Sequence, residues 1–182
     1  MIKHLNILKY LGNNYSNFRL LAVLMYTDTL IREDILYIVD KMTTTIDDDI
    51  LIKILINNDA ETLQIKSWFK EFLNKQNLNI TDWGYESILQ IFTLINNKVI
   101  SVSNGMEFLF EMQVNCDFVS SQKYMDFFWN TYFLYEESTF DPYVTECGDT
   151  EKRNSDFVNK NISNFIQSNG NCEFEYPIID KN

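Results

Sequence analysis

The chain has 182 residues, the size of a single domain, and its 26 acidic and 15 basic residues give a net charge of −11. This charge excludes direct nucleic-acid binding through a broad phosphate-neutralising face, and anionic lipid would repel the protein from a membrane surface. Three cysteines without a C-x-x-C pair and a single histidine exclude a zinc site and predict no metal and no cofactor.

Scarce glycine and proline favour long regular elements, and the apolar spacing predicts an all-α fold of seven to nine helices. The first half is predicted to contain helices at Ile2–Leu11 and Tyr15–Tyr26, one ending near Met42, one capped by a box at Thr45–Asp48, and one from a cap at Asn58–Glu61 to about Asn74. The last of these is predicted to turn five side chains inward: Leu63, Ile65, Trp68, Phe69 and Phe72.

The segment from Asp82 to Ile95 predicts the helix around which the chain is organised, at about residues 83–96. Its apolar side chains cover nearly the whole helical circumference: Ile88, Leu89, Ile91, Phe92, Leu94 and Ile95. A helix that is apolar on nearly every side is typically buried. We therefore expect other helices to pack around it.

In the second half, Asn104 with Glu107 is expected to cap the next helix, and an unusually aromatic helix follows from Ser120–Ser121. We expect an irregular acidic segment at Ser138–Thr150 and a last helix at Glu151–Gln167. The predicted organisation is one helical domain over residues 1–168, followed by a C-terminal tail or docked extended segment over residues 169–182.

Charge is distributed unevenly between the two halves. Residues 1–80 hold nine bases and ten acids, a net of −1, whereas residues 81–182 hold six bases and sixteen acids, a net of −10. Between Glu107 and Asp149, nine acids face a single base, Lys123. Nine aromatic residues lie between Tyr124 and Tyr143 in the same region.

Acids mixed with Tyr and Trp suit a surface that binds a protein partner with a basic face, because charge steers the encounter and aromatic rings supply contact energy. Under this interpretation the predicted partner-binding residues are Trp129, Tyr132, Glu136, Glu137, Asp141, Tyr143, Glu146 and Asp149. In the alternative interpretation the aromatic rings fill the core and the acids are its solvated face. Both interpretations are open at this point.

No catalytic pattern stands out, so we expect a protein that is not an enzyme. Asp47–Asp49 lacks the spacing of a calcium loop and is better explained by helix capping. Glu136, Glu137 and Asp141 could pair as acid and base in sugar hydrolysis, but adjacent carboxylates are common in an acidic stretch. Cys116 has no nearby histidine in the sequence to activate it.

The sequence also predicts a cytoplasmic location. The N-terminal residues lack the uninterrupted apolar stretch of a signal peptide. The longest apolar run, Leu20–Tyr26, has seven residues and is too short to span a bilayer.

Trp83-Gly84 before an apolar helix resembles the central motif of Bcl-2-like proteins, including viral ones. This resemblance implies an apolar groove that holds an amphipathic helix of a partner. In the cellular family an arginine follows the glycine and pairs with an acidic residue of the partner helix. Here Tyr85 follows, so that ion pair cannot form.

A second resemblance covers roughly residues 20–129 and is to small acidic helical bacterial proteins of the toxin-immunity type. It rests on the helix entry Leu30-Ile31 to Val39, on Trp83, and on Glu111 to Phe118. The segment after Asp117-Phe118 usually contains Tyr-Pro in that family, whereas here Val119-Ser120 follows. The resemblance implies an immunity protein that neutralises a cognate, possibly nuclease-like toxin, with the viral Bcl-2-like regulator as the alternative.

Overall fold

The computed structural model describes residues 17–115, 122–140 and 148–177. Within these ranges the fold is all-α, with eight helices and no strand. The helices are α1 Phe18–Tyr26, α2 Arg32–Met42, α3 Asp49–Ile56, α4 Thr62–Asn74, α5 Trp83–Asn96, α6 Val102–Asn115, α7 Gln122–Phe140 and α8 Gly148–Gln167. The predicted all-α class is confirmed, and the helix predicted at Ile2–Leu11 lies outside the described residues.

The described residues divide into two compact units, the first comprising residues 17–83 and 111–115 and the second residues 84–110, 122–140 and 148–177. In the first unit, α1 packs on α4, while α2, α3 and α4 pack on one another. Six consecutive residues of α1, Leu20–Met25, are buried. A helix this short is marginal by itself, so packing on every side is what stabilises it.

The helix starts differ from the predicted caps. The side chain of Asp48, rather than Thr45, caps α3 by accepting a hydrogen bond from the Ile50 amide at 2.8 Å. Thr45 instead donates its hydroxyl to the Met42 carbonyl at 3.2 Å, which helps to close α2. At α6 the acceptor is Ser101 Oγ, not the predicted Asn104 side chain.

The predicted inward face of α4 needs one correction. Leu63 is 78% exposed, whereas Ile65, Phe69 and Phe72 are buried. The reason is helical geometry: Leu63 precedes Ile65 by two residues, which places it roughly 200° around the helix from the buried stripe. Trp68 borders that stripe and is half-buried, with the Lys53 ammonium 4.4 Å from its ring centroid.

The core of the second unit is aromatic. Phe165 of α8 is fully buried, and its ring centroid lies 4.8 Å from that of Phe127 in α7 and 5.3 Å from that of Phe92 in α5. The rings of Tyr85 and Tyr124 also border Phe165. Seven side chains of α5 that lie within this unit are buried: Glu86, Ser87, Ile88, Ile91, Phe92, Leu94 and Ile95. The encirclement of α5 by other helices stays a prediction.

The irregular segment predicted at Ser138–Thr150 is wrong at both ends. Helix α7 continues through Phe140, and α8 already begins at Gly148. Asp149 and Glu151 place acids in the first turn of α8, where the helix dipole favours negative charge. Residues 141–147 lie outside the described part.

Helix α8 ends in a glycine turn, and an extended segment then returns along it. Asn169 is left-handed with a φ of +51°, and Gly170, with a φ of +76°, donates its amide to the Phe165 carbonyl at 2.8 Å, an arrangement that is typical of a Schellman cap. Residues 171–177 form neither helix nor strand. The side chain of Asn161 bonds both backbone groups of Glu175, which fixes this segment to α8.

Candidate functional site

Three of the eight predicted partner-binding residues have described side chains, and all three belong to α7: Trp129, Tyr132 and Glu136. Two more lie in helices, but their side chains are outside the described part: Glu137 and Asp149. The last three lie outside the described residues: Asp141, Tyr143 and Glu146. The structure can therefore be compared with the prediction only for the three residues with described side chains, which form the N-terminal part of the predicted site.

Helix α7 places four of its side chains on one face. Trp129, Tyr132, Phe133 and Glu136 follow one another at i, i+3, i+4 and i+7, which is the spacing of neighbours on a helix surface. The Trp129 and Phe133 rings stack with centroids 5.8 Å apart, and Tyr132 meets Trp129 edge to face at 5.9 Å. The three rings thus form one continuous aromatic group.

Phe110 of α6 extends this group from a second helix. Its ring stacks on Tyr132 with centroids 6.2 Å apart and planes inclined by 17°. Phe110 is 44% exposed and Phe133 is 54% exposed, so the group faces solvent. We name Phe110, Trp129, Tyr132 and Phe133 the aromatic surface. The sequence-based selection of site residues missed Phe110 and Phe133, although the spacing of Phe133 from Trp129 was a usable signal.

Other aromatic side chains of α7 belong to the core. Phe127 and Phe128 are 4% and 1% exposed. The sequence left two interpretations of these aromatic residues open, a binding surface and a core, and α7 contains residues of both kinds. Phe127 and Phe128 fill the core, whereas Phe133 is presented to water. Exposed large aromatic side chains in a group, rather than singly, are uncommon on surfaces that bind nothing.

Three acids accompany the aromatic surface at helical spacing, and we name them the acidic flank: Glu107, Asp126 and Glu136. Glu107 precedes Phe110 by three residues, and Asp126 precedes Trp129 by three. Glu107 and Asp126 are exposed. The Tyr132 hydroxyl donates to Glu136 Oε1 at 2.5 Å, and this hydrogen bond, with a smaller contribution from burial, raises the pKa of Tyr132.

Trp83, which carries part of both resemblances, is the first residue of α5. Its ring stacks almost parallel on Tyr26 of α1, with centroids 4.4 Å apart and planes inclined by 11°. Of the other segments behind the immunity-type resemblance, Leu30–Val39 covers the entry of α2, and residues 111–115 end α6. The Bcl-2-like alternative stays a prediction.

Comparisons with protein-family models, with curated proteins and with solved structures find no match to this chain. In the described ranges, no three His, Cys, Asp or Glu side chains cluster closely enough to hold a metal ion. None of the described helices is both long enough and apolar enough to cross a bilayer.

Proposed function

We propose that the chain is a non-enzymatic binding protein, an immunity protein that neutralises a cognate toxin with a basic, nuclease-like face. The observation that supports this most directly is the aromatic surface beside the acidic flank. Interfaces draw most of their binding energy from a few large side chains such as Trp and Tyr. Acids around such anchors favour a partner of opposite charge.

The two groups of residues have separable physical roles. The acidic flank and the −10 charge of residues 81–182 attract a basic partner over a distance set by ionic strength. Such steering raises association rate constants toward about 10⁸ M⁻¹s⁻¹ at low salt. The aromatic rings act after contact and slow dissociation, because they must be resolvated when the complex separates.

Neutralisation follows from the charge of the target. A nuclease needs a cationic face to hold the phosphates of its substrate. A protein that covers this face with carboxylates and aromatic rings excludes the substrate without any chemistry of its own. The proposal therefore predicts competition with nucleic acid for the same face of the toxin.

The first experiment is affinity capture from lysate of the native host, at low and then at high salt. The expected product is one basic protein that is retained at low salt and weakened at high salt. The captured protein is then tested as a toxin, with and without this chain, for damage to nucleic acid. Capture of proteins that are neither basic nor sensitive to salt contradicts the proposal.

Variants then connect the captured partner to the surface. Phe110→Ala and Phe133→Ala remove exposed rings and should weaken binding by about 10-fold to 100-fold, mainly through faster dissociation. Asp126→Lys should slow association and flatten its salt dependence. Asp59→Lys is the matched control, since it makes the same charge change at an exposed position in the nearly neutral half. Equal effects of Asp126→Lys and Asp59→Lys would contradict a localised acidic interface.

A further inference from the structure

The first unit contains a shallow pocket that shares no residue with the aromatic surface. Its volume is about 150 Å³. Helix α1 contributes three residues and α4 another three, each set at the spacing of one helix face, and Trp83 completes the wall. The lining consists of Ala22, Met25, Tyr26, Lys70, Leu73, Asn74 and Trp83.

The base of the pocket is apolar and its wall is aromatic. Ala22, Met25 and Leu73 are at most 6% exposed, so their side chains belong to the packed core. Tyr26 is 45% exposed and stacks in parallel on Trp83. Parallel stacking holds both rings in a fixed orientation. The rings therefore form a flat wall that does not have to be ordered when a ligand binds.

Lys70 gives the pocket a positive charge that no carboxylate of the described part neutralises. The other six cations described in residues 17–83 each have a partner in an acid, a carbonyl or a ring. Their partners are Leu78 O for Arg19, Glu33 and Asn58 O for Arg32, Asp40 for Lys41, the Trp68 ring for Lys53, Asp28 for Lys66 and Asp48 for Lys75. Among the described residues of this stretch, Lys70 is the exception.

We propose that this pocket binds a small aromatic carboxylate, that is, one apolar ring bearing a carboxylate group. The ring would lie on the apolar base against Tyr26 and Trp83, and the carboxylate would pair with the Lys70 ammonium. The Asn74 amide supplies a second donor on the same face of α4. A cavity of 150 Å³ in a protein core holds benzene, so the volume suits one ring.

Charge and shape together determine the expected selectivity. A neutral ring of the same size gains the apolar contact but not the ion pair, and an amine meets repulsion from Lys70. A carboxylate without a ring gains only a solvent-exposed ion pair, which contributes little by itself. For about ten heavy atoms in an open site, the expected Kd for phenylacetate is on the order of 1 mM.

The test is an NMR titration of the full-length protein that follows the three tryptophan indole N–H resonances. Phenylacetate should shift the Trp83 resonance in a saturable way and leave those of Trp68 and Trp129 unmoved. Acetate and 2-phenylethylamine at equal concentration should not produce this shift. A Trp83 shift that acetate reproduces, or that is equal at all three resonances, overturns the proposal.

Variants of exposed residues test the contacts without disturbing the core. Lys70→Met should weaken phenylacetate binding by about 2-fold to 5-fold, and Lys70→Arg should retain it, because the ion pair requires the charge. Lys75→Met removes a cation from the residue that directly follows α4, outside the pocket lining, and should leave binding unchanged. Tyr26→Ala should weaken binding by removing part of the aromatic wall. Unchanged binding by Lys70→Met contradicts the proposal.

Two sources could supply this chemistry, a free aromatic acid or a peptide chain that ends in phenylalanine. Glycyl-phenylalanine carries the same ring and a terminal carboxylate, and a titration with it separates the two. Tighter binding of the dipeptide assigns the pocket to a chain terminus, and tighter binding of phenylacetate assigns it to a free metabolite. Failure of both to bind overturns the shared chemistry.

Discussion

The hydroxyl of Tyr132 donates a 2.5 Å hydrogen bond to Glu136 Oε1, one helical turn further along α7. The bond joins a ring of the aromatic surface to a carboxylate of the acidic flank. It holds the Glu136 carboxylate near the Tyr132 ring and so reduces the side-chain freedom of both residues before any partner arrives. Less side-chain entropy is then lost on binding.

The first prediction concerns the pH dependence of this pair. The pKa of Tyr132 is raised above its ordinary value of 10.0, because the protonated hydroxyl donates to Glu136 and an ionised one would be repelled. A raised folded-state pKa means that the stabilising contribution is fully present below pH 10.0 and is lost as pH rises through the higher folded-state value. The difference in tyrosinate absorbance between the native protein and Tyr132→Phe should give Tyr132 a titration midpoint above pH 10.0.

Glu136→Gln tests the cause of that shift. A neutral amide removes the charge that opposes ionisation, so the pKa of Tyr132 should fall toward 10.0. Glu173→Gln, at an exposed position, is the control and should change nothing. An unaltered titration of Tyr132 in Glu136→Gln would show that the hydrogen bond is not the main cause.

The second prediction contrasts two apolar residues that the sequence alone treats alike. Phe165 is fully buried among four aromatic rings, whereas Leu63 is 78% exposed. Phe165→Ala should lower the free energy of unfolding by about 3–5 kcal/mol, because it leaves a cavity that the surrounding rings cannot close. Leu63→Ala should stay within about 0.5 kcal/mol of the native protein. Urea unfolding followed by circular dichroism measures both, and similar losses would contradict the burial pattern.

The third prediction concerns a close approach between α5 and α6. A Cβ added at Gly105 would lie 2.3 Å from Ile95 Cδ1 and 2.7 Å from Ile95 Cγ1. Gly105→Ala should therefore lower the free energy of unfolding by about 1 kcal/mol, even though alanine is the better helix former by a similar amount. Ser103→Ala, exposed on the same helix, is the control and should be neutral or slightly stabilising.

A double-mutant cycle identifies Ile95 as the neighbour. Ile95→Val removes the nearest atom, so combining it with Gly105→Ala should cost at least ~0.5 kcal/mol less than the sum of the two single changes. Additive losses would mean that the strain is relieved elsewhere.

The helices could be predicted where their signal is local. In α2, Ile35, Ile38, Val39 and Met42 recur at the helical period, and all four are buried, because one face of a helix is set by spacing alone. The caps were less predictable. Several adjacent Thr and Asp side chains can each cap α3, and the choice depends on how the preceding turn closes.

The candidate site also has one part that the local sequence predicts and one part that it does not. Trp129, Tyr132 and Glu136 share a face of one helix, which the sequence spacing predicts. The stacking of Phe110 on Tyr132 joins positions 22 residues apart on different helices. Such a pair depends on tertiary packing, and no local pattern specifies it. Likewise, the pocket beside Trp83 requires α1 and α4 to pack together.

The last prediction concerns the segment after α8. Asn161 is fully buried; its Nδ2 donates to the Glu175 carbonyl at 2.7 Å, and its Oδ1 accepts from the Glu175 amide at 2.7 Å. One side chain thus satisfies both backbone groups of an extended residue, as a neighbouring strand would. Phe174 anchors the same segment against Phe127, with ring centroids 5.6 Å apart.

Asn161→Ala should loosen this segment, because the backbone N–H and C=O of Glu175 lose both of their hydrogen bonds to the Asn161 side chain at once. Amide exchange at Glu175 should become at least ~10-fold faster, and the free energy of unfolding should fall by about 1–3 kcal/mol. Asn159→Ala, exposed on the same helix, is the matched control and should leave both quantities nearly unchanged. If exchange at Glu175 is as slow in Asn161→Ala as in the native chain, the asparagine does not hold the segment, and the ring contact of Phe174 and the Lys160–Glu175 ion pair are sufficient.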